Sequence, residues 1–157
     1  MPDDLYRTDI VAWSRLQADR LRRHVAGERV NDLDWEHVIE EIEDLGSSEI
    51  AQVRSLLIQA MVHALKIARW PGSTAVNHWI GEAVNFLQQA QDRYRRSMAQ
   101  ELSVADCLAK ARRAVLAMPS DSPAQPIPDR TDLTLDALMD EAADLRSLID
   151  ALGRGPA

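Results

Sequence analysis

The sequence holds one cysteine, Cys107, so no intramolecular disulfide can form, and no cluster of Cys and His at metal-ligand spacing surrounds it. A reducing cytoplasm is the expected setting. The N-terminus carries Asp3 and Asp4 in place of an apolar leader core, and the most apolar stretch, Leu56 to Ala68, is short and interrupted by Gln59, His63 and Lys66. Neither an export signal nor a membrane span is expected. Alternating runs of Val, Ile and Thr are missing, which argues against a β-sheet. Positive charge is in deficit: 18 basic residues face 25 acidic ones, for a net charge of −7. That balance repels nucleic-acid backbones and anionic lipid. There is no nucleophile triad, glycine-rich phosphate loop or closed metal set, and no cofactor is implied.

What remains is helical periodicity. With 157 residues, 46% of them hydrophobic, the chain fits one globular domain with its own core. Tyr6, Ile10, Trp13, Leu16 and Leu21 recur at helical steps, with Thr8 as a plausible N-cap and an end near His24. Asp34 can cap a helix whose Trp35, Val38, Ile39, Ile42 and Leu45 form one apolar stripe. Gly46 reads as its C-cap and Ser47 or Ser48 as the cap of the next helix, which runs to about Trp70. Pro71 and Gly72 break the chain before a helix from Val76 to Tyr94, and another follows from about Ser103 to Met118. The four tryptophans read as packing residues.

Four prolines between Pro119 and Pro128 mark a linker, and Thr134 caps a last helix in which Leu135, Leu138, Ala142, Leu145, Ile149 and Leu152 form a packing seam. The expectation is an all-α antiparallel bundle of about five or six helices. Its core would span residues 1–118, followed by a linker over 119–133 and a C-terminal helix over 134–152, packed on the bundle or on a second chain.

The acidic run is the candidate site. Glu36 and Glu43 flank the Trp35 to Leu45 stripe on one side and Glu41 on the other, while His37, Glu40 and Asp44 point away. Were the chain to reverse at Gly46, Glu43 would sit near the turn and Glu36 would be the better partner for His63 or Lys66 on the following helix, with Asp9 nearby. The candidate polar cluster is therefore Asp9, Glu36, Glu40, Glu43, His63 and Lys66. Two readings stand side by side: a solvated acidic flank with ordinary ion pairs, or a binding or metal site at a helix junction. Glu40 and Glu43 form an E-x-x-E pair of the kind that holds Mg²⁺ in all-helical hydrolases, but residues 50–69 contain no Asp or Glu to complete it. His24, His37 and His78 read as surface histidines, and Cys107 as a buried, inert thiol.

These residues resemble a family of bacterial proteins known as domain of unknown function number twenty-nine. The likeness runs through Tyr6, Asp9, Trp13, Gln17, Leu21, Arg22 and Asp34, then Ile39-Glu40-Glu41-Ile42-Glu43-Asp44-Leu45-Gly46, Ser48-Glu49, His63-Ala64-Leu65-Lys66, Pro71 and Trp79. It is looser through Leu133-Thr134-Leu135-Asp136 and Asp140-Glu141, and after Glu141 a longer apolar helix departs from the family pattern. The resemblance implies an all-helical bundle and no activity. By elimination, the expected role is a small cytoplasmic binding or adaptor protein. It would act on an unknown protein partner or as a homodimer, with Leu138, Leu145 and Ile149 as the interface; a carboxylate-based, metal-dependent hydrolase is the alternative.

Overall fold

The computed structural model describes residues 2–120 and 122–157, and everything below refers to these. Among them there are only helices and connecting segments. The order is α1 (Pro2–Thr8), α2 (Ile10–Val25), α3 (Trp35–Arg69), α4 (Val76–Arg93), a 3₁₀ turn (Arg96–Glu101), α5 (Val104–Leu116), α6 (Leu135–Leu138) and α7 (Leu145–Arg154). The all-α expectation holds. Two compact units divide the chain at Ser47/Ser48, a boundary that differs from the expected single core over 1–118.

In the first unit, Asp9 ends α1 and caps α2: its side chain accepts a hydrogen bond from the Ala12 N–H. The cap thus lies one residue beyond the expected Thr8. Gly27, at φ +87°, provides the left-handed turn after α2 that a side chain would strain. Asp34 precedes α3 and accepts from the His37 N–H, the capping role expected of it.

Gly46 does not stop the helix. It lies inside α3, which continues for 35 residues to Arg69. A glycine in a helix interior costs only about 1 kcal/mol relative to alanine, too little by itself to end the helix. The reversal that would have folded Glu36 back toward His63 and Lys66 is therefore absent.

The second unit is built on the apolar faces of α3 (from Ser48), α4, α5 and α7. Leu57, Leu65, Leu87, Leu108, Ile149 and Leu152 belong to one buried cluster, with Trp70 at the end of α3. Ser103 and Asp144 cap α5 and α7, each accepting from a first-turn N–H. The proline-rich stretch has no regular structure, as its composition dictates, but it does not hang free. Ile127 is buried, the Gln125 N–H donates to the Arg69 carbonyl (2.7 Å), and Arg69 Nη1 donates to the Gln125 carbonyl (2.9 Å). Gly155, at φ +76°, closes α7 so near this strap that a Cβ would come within 2.6 Å of the Pro128 Cβ.

The expected C-terminal helix is two helices, α6 and α7. Gln91, buried on α4, holds the join: its Nε2 donates to the Leu138 carbonyl (2.8 Å) and the Asp140 carbonyl (3.3 Å). These acceptors lie where α6 ends and water is excluded. Gln91→Ala is expected to cost about 1–3 kcal/mol by leaving a buried carbonyl without its donor. Gln91→Glu should cost no less at neutral pH, because a carboxylate cannot donate. Urea denaturation of the three chains checks this; a Glu variant as stable as wild type would refute the role.

Candidate functional site

Long-range side-chain hydrogen bonds in the first unit converge on Asp34. Asp34 Oδ2 accepts from Trp13 Nε1 (3.0 Å) and lies 2.8 Å from His37 Nδ1, while the Asp34 N–H donates to Gln17 Oε1 (3.0 Å). Tyr6 stacks on the His37 ring, with centroids 3.9 Å apart, and meets Trp13 edge-on at 4.9 Å. Its hydroxyl donates to Glu41 Oε1 (2.7 Å). Trp13 and Gln17 lie four residues apart on one side of α2, and Tyr6 of α1 meets Trp13 there by ring contact. Asp34, just before α3, and His37 and Glu41 on it answer at three and four residues.

The charges of this node support one another. Burial pushes the Asp34 carboxyl up, but hydrogen bonds from Trp13 and His37 outweigh it and hold the group below the ordinary carboxylate value. The same contact with Asp34 raises His37, helped by the Glu40 and Glu36 charges. The Glu41 hydrogen bond is the main reason that the Tyr6 hydroxyl is pushed up to about 12, so it stays a donor at any ordinary pH. Chemically the node is a lock. The contacts from Trp13, Gln17 and Tyr6 hold the start of α3 against α1 and α2, and the Asp34–His37 contact closes the first turn of α3 itself.

What the lock leaves outside is apolar. Trp35, Ile39, Ile42 and Leu45 are 50%, 54%, 66% and 67% exposed. They follow one another at four, three and three residues, which places them in one row along α3. The apolar stripe read from the sequence is thus mostly open, and only its Val38 is buried. His24 touches the row at its start, its ring 5.9 Å from that of Trp35. Ile10 and Leu16, from the apolar series of the first expected helix, are exposed as well.

The candidate polar cluster is spread over both units. Asp9 is a helix cap, and Glu36, Glu40 and Glu43 are exposed on the first-unit part of α3. His63 and Lys66 lie in the second unit against α4: His63 stacks on Phe86 (5.7 Å), and Lys66 Nζ sits 4.6 Å from the centre of Trp79. Among the described residues no three His, Cys, Asp or Glu side chains are grouped to hold a metal ion, and no helix is long and apolar enough to cross a membrane. A cavity of about 440 Å³ in the second unit is lined by Arg54, Glu101, Ser103, Asp106, Cys107 and Lys110. Arg54 there already donates to the Glu101 carbonyl, and Ser103 accepts from the Asp106 N–H. Cys107 is buried, and burial pushes its thiol up, away from the reactive thiolate.

Leu138 and Ile149 are 0% and 1% exposed, and the partly buried Leu145 packs against the same cluster. Of the expected interface, Leu138 and Ile149 are thus covered within the second unit, and only the partly buried Leu145 is still open in part. The exposure of the apolar row on α3 could not be read from the sequence. Sequence reasoning also missed the Asp34 node, for which Trp13 and Gln17 on one side of α2 were the available signal.

His37 in the first unit and His63 in the second respond to pH in opposite directions. His37 is raised above 6.5, so its stabilising contribution is complete below about 6.5 and is lost as pH rises through its folded value. His63 is lowered, by burial first and by the Lys66 charge second, and its Nδ1 is buried without a hydrogen-bond partner. The second unit therefore has its full stability above about 6.5 and loses some as pH falls through the folded value of His63. Mild acid is expected to tighten the first unit and loosen the second, and His63→Gln to remove the loosening. Ring-proton NMR titration checks it; a His63 midpoint above that of His37 would contradict the assignment.

No curated protein matches this chain. A solved structure from Rhodospirillum rubrum, an alpha-helical protein of unknown function, is similar over 94% of this chain and 97% of its own, at 27% identity and a TM-score of 0.63. A family model described as domain of unknown function DUF29 matches residues 5–143, and the chain belongs to that family.

Proposed function

We propose that this chain is a binding protein acting through protein–protein contacts, with the open row of α3 as its docking surface. The observation that carries this reading is the exposure of Trp35, Ile39, Ile42 and Leu45, each half or more uncovered, on one line of a helix that the Asp34 node holds in place. Fully burying a large apolar side chain is worth about 1.5–3 kcal/mol. Covering the open half of four of them supplies several kcal/mol, and a tryptophan is a favoured anchor in such contacts. Anchors at steps of three and four residues suit recognition of one helix by another.

Ile39→Gln/Ile42→Gln tests this reading. Both sites are exposed and glutamine is a good helix former, so stability should stay within about 0.5 kcal/mol of wild type. Proteins retained by the wild-type chain and not by the variant would be purified, and the affinity of each pair measured. The reading expects at least about a tenfold loss in the variant. Partners that bind both chains equally would refute it.

A further inference from the structure

The charges beside the docking row select its occupant. From residue 31 to residue 47 there are seven acidic residues and no Lys or Arg. Glu36 and Glu43 flank the row and are exposed, whereas Glu41 on the other flank is engaged by Tyr6. Glu40 and Asp44 are exposed one step farther round the helix. Two basic side chains of α2 are tied up locally: Arg20 pairs with Asp32, and Arg23 with Glu28 at 2.8 Å. Along this part of α3 itself, the charge beside the apolar row is thus of one sign.

Resting on the docking reading above, we infer that the row takes a cationic amphipathic helix of a partner protein, whose apolar side covers Trp35, Ile39, Ile42 and Leu45 while its Lys or Arg residues meet Glu36 and Glu43. A second copy of this chain is a poorer occupant. Two-fold pairing sets the same patch against itself, which would bring the acidic flanks of both copies together, and like charges facing across an interface oppose association. An anionic membrane is disfavoured by the same sign. Opposite charge on the partner would also speed encounter, and the rate would fall with salt.

Two fluorescent helical peptides with identical apolar positions would be titrated against the full chain by anisotropy, one carrying Lys and Arg at its polar positions and the other Glu. The expected result is binding of the cationic peptide at least about tenfold tighter than the acidic one. The preference should shrink in Glu36→Gln/Glu43→Gln, and binding should be lost in Ile39→Gln/Ile42→Gln, which leaves every charge in place. Equal binding of both peptides, still lost in the Ile variant, would overturn the cationic partner while leaving the docking row intact. Cationic binding that survives in the Ile variant would overturn the row itself. If neither peptide binds, and light scattering shows a dimer that Ile39→Gln/Ile42→Gln dissociates, the occupant is a second copy and the inference falls.

Discussion

Replacing Trp13 with alanine is expected to open the first unit and to leave the second folded. Trp13 and Val38 are the only buried apolar side chains described in the first unit. Trp13 also gives Asp34 one of its hydrogen bonds and packs edge-on against Tyr6. Truncating a buried tryptophan typically costs about 3–5 kcal/mol, and a unit this small has little stability in reserve. Amide hydrogen exchange should show protection lost through α1 and α2 and retained in α4, α5 and α7. Trp13→Phe keeps the ring but not the donor and should cost less, about 1–3 kcal/mol. Equal loss of protection in both units would show that they do not unfold separately and would refute the prediction.

Leu138→Ala and Ile149→Ala should each destabilise the second unit by about 2–5 kcal/mol, because both side chains are fully buried in its core and alanine leaves a cavity. Leu145→Ala, at a partly buried position, should cost less. Urea unfolding at low protein concentration gives the measurement. Residues that served a contact with another chain would be nearly silent there and would change only the molecular mass. Unchanged urea midpoints would therefore restore the interface reading of this seam.

Most helix limits could be read from the sequence because their causes are local. Pro71 and Gly72 follow Arg69, Ser103 and Thr134 cap by short-range hydrogen bonds, and the apolar spacing of α4 and α5 is regular. Gly46 misled because Ser47, Ser48 and Glu49 after it imitate a fresh helix start, while the penalty for keeping the helix going is small. Periodicity also shows which side of a helix is apolar without showing whether anything covers it. Trp35 and Leu57 carry the same kind of signal on α3, yet Leu57 is buried and Trp35 is half open. The Asp34 node joins residues 21 and 35 positions apart, beyond the reach of any local pattern. Its parts were in view, but their convergence was not.

The burial of Cys107 has a use in spectroscopy. As the one cysteine of the chain, shut inside the second unit with its thiol held in the unreactive form, it should resist maleimide labelling while the fold is intact. An Ile42→Cys variant would then carry a single addressable thiol, in the middle of the open row. A polarity-sensitive dye attached there would report the arrival of a partner helix by its change in emission, with no background from elsewhere in the protein.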